Sequence, residues 1–262
     1  MGMTNIDTVQ STLPESNRIH WFKFAAPNTF YILTGRLIPW FTVLAVLLTV
    51  VGFYVGFFVA PTDFQQHDAY RIIFLHVPAA WMSMFIYLVM AFWAALGLIF
   101  NTRLSAMMAS ALAPTGAMFT FLALWTGALW GKPTWGAWWV WDARLTSELI
   151  LLFLYIGFMA LQASIDDVRR ADKAGALIAL VGVINVPIIY FSVQWWNTLH
   201  QGSSINMKSA PSMAMTMLLG MLIMALAFWA YTIAITLYRM RCIVLEREQQ
   251  TEWVKNLLGE KL

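Results

Sequence analysis

Charged residues and cysteines are scarce in this sequence, and each shortage excludes classes of protein. Only 11% of the 262 residues are charged, whereas a soluble domain carries about 25%. With 60% hydrophobic residues, the composition is that of an integral membrane protein. The single cysteine, Cys242, rules out a disulfide within the chain and any Cys-x-x-Cys-His attachment motif.

Motifs for nucleotide hydrolysis and for hydrolytic catalysis are missing as well. Residues 127–133 have the wrong glycine spacing for a phosphate loop, and Pro133 stands where Ser or Thr is required. Neither Gly-x-Ser-x-Gly nor His-Glu-x-x-His occurs. The net charge is +3, but the basic residues form short groups between apolar runs, so no nucleic acid is expected as a partner. We predict that the chain is not an enzyme.

Long apolar runs are what the sequence does contain. A bilayer-spanning helix needs roughly 20 apolar residues, and helices are expected because backbone polar groups in lipid must be satisfied within the segment. Pro114 and Pro187 lie inside two runs and predict kinks. The predicted fold is an all-α integral membrane protein with six transmembrane helices. The six runs are about 37–60, 77–100, 104–130, 149–165, 174–195 and 211–238.

The distribution of Lys and Arg predicts the orientation. Twelve of the 16 basic residues lie in the termini and in the connections on the same side, which places both termini in the cytoplasm by the positive-inside rule. The predicted organisation is a cytoplasmic tail over 1–36, a membrane domain over 37–238 and a second cytoplasmic tail over 239–262. The first tail has no apolar core followed by small residues, so a cleaved secretory signal is not expected.

Three loops are then predicted to face outward and to form a site on the outer face, at about 61–76, 131–148 and 196–210. Five tryptophans crowd the middle loop. One interpretation is an aromatic belt at the membrane interface. The other is a flat apolar platform for an aromatic ligand, with Gly131 and Gly136 allowing close backbone approach. The tryptophans are Trp130, Trp135, Trp138, Trp139 and Trp141.

Two histidines bracket this stretch in sequence order. His76 lies at the end of the preceding loop and His200 lies in the following one. A single histidine near a membrane surface is more often structural than a ligand. Two on separate loops beside an aromatic platform favour axial ligation of haem iron, for which imidazole is a common ligand. His67 is expected to be a surface residue.

The predicted outer face carries few cations. They could pair with the two propionates of a porphyrin, for which Arg suits a bidentate carboxylate better than Lys. Arg71 and Arg144 are favoured because they lie close in sequence to His76 and to the tryptophans. The alternative is that these cations cap helix ends or contact lipid headgroups. The four are Arg71, Lys132, Arg144 and Lys208.

The residues after the tryptophans predict a helix start. Thr146 or Ser147 is the expected N-cap, and Glu148 is expected as an acidic residue of the first turn. Asp142 is expected to orient an indole N–H or to pair with Arg144.

Three motifs together resemble a known family. WGKPTWGAWWVWDARLTSE at 130–148 is similar to the tryptophan-rich WWD signature of haem-handling proteins in cytochrome c biogenesis. The similarity extends to YRIIFLHVPAAW at 70–81 and VQWWNTLHQG at 193–202. With six predicted spans, the sequence resembles the CcmC family over roughly 37–240.

The resemblance implies a function and a set of partners. In that family the outer-face site binds haem b as cargo. His76 and His200 match its axial histidines, and the tryptophan stretch with Asp142 matches its haem-contact region. The implied partners are the periplasmic haem chaperone CcmE, the small membrane protein CcmD, and the ABC transporter subunits CcmA and CcmB, which would supply ATP hydrolysis. The implied location is the bacterial inner membrane, with the site on the periplasmic side.

Rival classes remain open at this point. A haem lyase subunit is similar around the tryptophans but is much longer and has more spans. A small-molecule permease would carry ionisable residues within its spans, and the predicted spans are almost free of charge. A structural membrane subunit of a transporter complex is the third alternative.

Overall fold

The computed structural model describes residues 26–200 and 213–259. Over these ranges the regular structure is helical, apart from one isolated bridge between Asp63 and His67. A π-helical turn, Val55–Val59, continues the first helix, and a 3₁₀ turn, Asp68–Ile72, leads into the second. The α-helices are α1 Pro27–Tyr54, α2 Ile73–Phe100, α3 Arg103–Trp135, α4 Ala143–Ala163, α5 Val168–Gly182, α6 Asn185–Trp195, α7 Met215–Arg247 and α8 Glu252–Leu258.

Within the described ranges, six helical stretches are long and apolar enough to cross a membrane. The predicted all-α fold with six membrane-spanning helices is confirmed. Many large apolar side chains, such as Trp40 and Phe58, point away from the protein, as expected for a surface that faces lipid. The orientation and the division into tails and outward loops stay predictions.

The first and last spans are longer than predicted. Helix α1 begins at Pro27 instead of residue 37, and α7 continues to Arg247 instead of ending at 238. Proline suits a helix start because its missing N–H would have had no partner there. The added turns are held by contacts: Tyr31 packs in a cluster with Met240, and the Arg241 guanidinium lies 3.6 Å from the centre of the Tyr31 ring.

Much of the stretch predicted as the tryptophan loop is helical, so the connection between the two helices is shorter than 131–148. Helix α3 runs through Pro133 to Trp135 and stops at Gly136, whose φ of 79° is left-handed. Glycine takes this conformation without strain and commonly ends helices. Helix α4 starts after Asp142, whose Oδ1 accepts the N–H of Leu145 at 2.8 Å. The connection is therefore confined to 136–142, and the N-cap is Asp142 rather than Thr146 or Ser147.

The kink predicted at Pro187 is a break between two helices. Helix α5 ends at Gly182 and α6 begins at Asn185, so that together they form the fifth span, Val168–Trp195. Proline at this position cannot bond to the carbonyl four residues earlier. The Asn185 side chain donates to the Ser147 carbonyl at 2.8 Å and ties the break to α4. At Pro114, α3 continues without interruption.

Two groups of helices make up the bundle. Helix α2 packs on α3, with α4 and α5 against them, while α1 packs on α7, which also contacts α2 and α3. The main core lies in the first group and includes the fully buried rings of Tyr87 and Tyr155. Because α2, α3 and α4 are fixed against one another by this core, residues at their ends are held in register.

Candidate functional site

A small cavity of about 30 Å³ lies at the end of the bundle where α2 and α4 begin. His76 reaches it from the first turns of α2, Trp135 from the end of α3, and Arg144 and Glu148 from the start of α4. His200 follows α6 and closes the cavity. Four segments that are distant in the sequence therefore meet at this cavity. Both predicted histidines line it.

His76 is buried and held in one orientation. It lies inside α2, which begins at Ile73, and not in the preceding loop as predicted. Its Nδ1 is 3.0 Å from the Ala123 carbonyl oxygen and 3.1 Å from Thr126 Oγ1. A carbonyl can only accept, so Nδ1 carries the proton and Nε2 keeps its lone pair. Such a bond to the second ring nitrogen is typical of metal-binding histidines.

His200 faces His76 across the cavity. Their ring centres are 6.0 Å apart, and His200 also meets the Trp135 ring edge-on at 5.6 Å. Burial, followed by the nearby charge of Arg144, lowers the pKa of His200 to about 4. The imidazole is therefore neutral at physiological pH and able to donate a nitrogen lone pair to a metal.

The tryptophan stretch divides into two parts. Trp130 and Trp135 lie on α3 and contact the histidines: the Trp130 ring meets His76 at 5.6 Å. Its indole N–H donates to Gln66 Oε1 at 2.7 Å, which fixes it to the α1–α2 connection. Gln66, Ala123 and Thr126 were missed by sequence reasoning, since nothing in the local pattern marks them.

The other three tryptophans lie in the short connection and do not line the cavity. Trp138 is 55% exposed and Trp141 is 78% exposed. Trp139 packs edge-on against Trp141 at 5.4 Å, and its buried indole nitrogen has no hydrogen-bond partner within the described ranges. The five tryptophans therefore fall into two groups in the described part of the chain. An inner pair touches the histidines, and an outer group lies at the rim.

Arg144 and Glu148 lie one helical turn apart on α4 and both line the cavity. Arg144 Nη1 donates to the Ile189 carbonyl at 3.0 Å, and its other four N–H groups have no hydrogen-bond acceptor among the described residues. Glu148 was predicted as a first-turn residue, but it is buried and accepts a hydrogen bond from Ser83 Oγ at 2.7 Å. Over the described ranges, Asp142 bonds neither to an indole N–H nor to Arg144, because it caps α4.

Two of the other predicted cations, Arg71 and Lys132, do not line the cavity. Arg71 Nε bonds to Asp68 at 2.9 Å, and its Nη1 donates to the Gly56 carbonyl at 2.7 Å. These bonds tie the start of α2 to the end of the first span. Lys132 is exposed and donates to the Gly136 carbonyl. Lys208 lies outside the described residues.

Comparison with known proteins shows which family the chain resembles. The family model described as heme exporter protein C matches residues 20–255. A heme exporter protein C of Escherichia coli K12 is 48% identical over 236 residues, which cover 90% of this chain and 95% of that protein. The Haemophilus influenzae protein of the same name is 44% identical over 89% of this chain and 95% of its own length.

Another relative is named as a mitochondrial protein. A putative cytochrome c biosynthesis ccmC-like mitochondrial protein of Marchantia polymorpha is 44% identical over 76% of this chain and 84% of its own length. The family model spans nearly the whole chain, including both histidines and all five tryptophans. The resemblance seen in the three sequence motifs is confirmed, and the chain belongs to the CcmC, or heme exporter protein C, family.

Proposed function

We propose that the protein binds haem between His76 and His200 and delivers it to the periplasmic chaperone CcmE during cytochrome c maturation. The observation that carries this proposal is the pair of facing imidazoles, one of which has its Nδ1 bonded to a backbone carbonyl. The names of the relatives, which refer to heme export and to cytochrome c biosynthesis, support it.

The separation of the histidines fits a shared iron atom. Two imidazoles bound to one metal through bonds of roughly 2 Å place their ring centres about 6 Å apart, and the observed separation is 6.0 Å. The cavity of about 30 Å³, however, holds only about two waters, at roughly 15 Å³ each. Haem binding therefore requires the segment that carries His200 to move aside from α3 far enough to admit the porphyrin plane.

We propose further roles for the residues around the two histidines. Arg144, which lines the cavity, would hold one propionate. Trp130 and Trp135 would orient the two histidine rings, and the exposed Trp138 and Trp141 would contact the porphyrin edge that the chaperone reaches. Because this edge lies at the rim, the histidines can hold the haem through its iron while one side of the porphyrin stays accessible to the chaperone.

The proposal includes the membrane setting and the complex. The site would face the periplasm from the bacterial inner membrane, with both termini in the cytoplasm. CcmD, CcmA and CcmB would be the other partners, and CcmA would hydrolyse ATP, since the phosphate-loop motif is missing from this chain. A permease is less well supported, because Arg144 and Glu148 lie in the first two turns of α4, beside the cavity, and not along a path through the bundle.

The proposed function is tested by purifying the protein with haem and recording its visible spectrum. The expected result is a Soret band with bis-histidine features, followed by transfer of the haem to purified CcmE. A folded protein that stays colourless when it is expressed with excess haem would contradict the proposal.

The two groups of tryptophans predict different defects. Replacing Trp130 and Trp135 by Leu removes the rings that pack against the histidines, and we expect about tenfold less bound haem, as for other groups that orient metal ligands. Replacing Trp138 and Trp141 by Leu should leave bound haem nearly unchanged but reduce transfer to CcmE. If the outer pair is only a membrane belt, transfer by that variant will equal the wild-type rate.

Arg144 is expected to matter more than Lys132. Removing one partner of a buried charge pair costs about 3–5 kcal/mol, and removing a rim-exposed one costs about 1 kcal/mol or less. Arg144→Gln should therefore lower haem occupancy strongly, while Lys132→Gln should have a mild effect on haem occupancy at equal expression.

Arg71→Gln tests the prediction that Arg71 pairs with a propionate. Haem loss at unchanged thermal stability would support propionate binding, and loss of stability alone would support the role of Arg71 as a tie to the first span.

A further inference from the structure

A second and larger cavity lies at the opposite end of the bundle from the histidines. It has a volume of about 170 Å³ and opens where α2 and α4 end and where α3 and α5 begin. At roughly 15 Å³ per water, it has room for about ten waters. It shares no lining residue with the histidine cavity, so it is a separate place on the molecule.

The lining of this cavity changes from apolar to polar along its depth. The inner wall comes from the last turns of α2 and the facing sides of α3 and α4, with Leu98, Ala106 and Phe158 among its side chains. The mouth carries Arg103 at the first position of α3, and Arg169 and Lys173 one turn apart on α5. Residues four apart on a helix lie on one face, so both α5 cations flank the opening.

The mouth has an excess of positive charge. Asp172, its carboxylate, is already held by Arg247 through two bonds of 2.7 and 2.9 Å. Arg103 pairs at 3.2 Å with Glu248, but its side chain is 71% exposed, so the pair is weak. Arg169 and Lys173 make no ion pair with any residue that the structure describes. Three cations and one carboxylate therefore line the cavity, and that carboxylate already has a partner in Arg247.

We propose that this cavity binds the phosphate group of an anionic phospholipid. The phosphate would lie between Arg103, Arg169 and Lys173, and the glycerol and first acyl carbons would lie on the apolar wall. A site at the ends of membrane-spanning helices is at the depth of lipid headgroups, and cationic pockets between such helices suit anionic headgroups. A lipid is favoured over free phosphate because the apolar inner wall would serve no purpose for an inorganic ion.

The test compares lipid retention in nanodiscs that contain equal amounts of phosphatidylglycerol and phosphatidylcholine. The full chain is released from them, and the lipids that stay bound are counted by native mass spectrometry. We expect the wild-type protein to retain phosphatidylglycerol selectively. Each of Arg169→Gln and Lys173→Gln should weaken this retention about fivefold, and the double variant about twentyfold, given the usual contribution of a cation at an anionic membrane.

The matched control is Arg170→Gln, because Arg170 is exposed on the same helix, next to Arg169, but does not line the cavity. It should retain phosphatidylglycerol as the wild type does, and all variants should keep the wild-type circular dichroism spectrum. Equal retention of the two lipids by the wild type would overturn the proposal, as would an equal loss in Arg170→Gln.

Two further arms separate the lipid from other anions. Inorganic phosphate, added at millimolar concentration in detergent, should neither raise the unfolding temperature of the protein nor displace the lipid. If it does both, the site takes a soluble phosphate and the lipid assignment fails. If Arg169→Gln with Lys173→Gln leaves lipid retention unchanged but weakens assembly with the other subunits, the cations dock an acidic protein segment and the proposal is wrong.

Discussion

His76→Ala and His200→Ala are each expected to reduce the haem that co-purifies with the protein about tenfold or more. Loss of a group that merely orients a metal ligand costs 10–100-fold in affinity by general experience, and removal of the ligand itself should cost at least as much. The measurement is the ratio of the Soret absorbance to protein for variants expressed at equal levels. An unchanged bis-histidine spectrum in either variant would show that this histidine is not an axial ligand.

His67→Asn is the matched control for both variants. His67 is exposed in the α1–α2 connection and does not line the histidine cavity. It should leave the haem content unchanged. Added imidazole should restore the spectrum of the alanine variants in part, since it can fill the vacant iron position, and the restoration would separate ligand loss from misfolding.

The second large effect is expected from Gly116→Ala. A Cβ at this position would overlap the ring of Tyr155, which is fully buried. The ring cannot retreat easily, because the Tyr155 hydroxyl donates to the Ser83 carbonyl at 2.8 Å. Overpacking of a core lowers the free energy of unfolding by about 1–3 kcal/mol and occasionally more. Because the Tyr155 ring is held by its hydrogen bond, we expect a loss at the upper end of this range. We expect a clearly lower unfolding temperature in detergent.

Gly157→Ala on α4 provides the control for this substitution. There the added Cβ would meet only Ile178 Cδ1, at 3.8 Å, which is an ordinary contact. Alanine is favoured over glycine in a helix by up to about 1 kcal/mol, so this variant should be as stable as the wild type or slightly more stable. Equal unfolding temperatures for the two alanine variants would contradict the packing argument.

Gly116→Ala also tests how the core is connected to the site. Tyr155 bonds to Ser83, and Ser83 Oγ bonds to Glu148 at the cavity. If α3 and α4 are pushed apart, the residues from these helices that line the histidine cavity should be displaced from one another. We therefore expect the protein that remains folded to bind haem more weakly than Gly157→Ala does.

The sequence by itself determined the fold class and the family. A membrane-spanning helix depends on the hydropathy of about 20 consecutive residues, which is a local property, and all six spans were found in this way. The three motifs identified the CcmC family for the same reason, because each is a short run of residues. The ends of the helices were less accurate. Gly136 is an ordinary helix stop signal and Asp142 an ordinary start signal, but the predicted loop ran past Gly136, and the helix start was placed four or five residues after Asp142.

The composition of the site was decided by the tertiary structure. Ala123 and Thr126 are 47 and 50 residues from His76 in the sequence. They lie within hydrogen-bond distance of it only because α2 and α3 pack in one register. The same packing buries Glu148 beside the histidine cavity. It leaves Arg71 bonded to the first span and Trp138 and Trp141 at the rim. Such roles depend on which side chains meet across helices, and a sequence pattern records only the face on which each side chain lies.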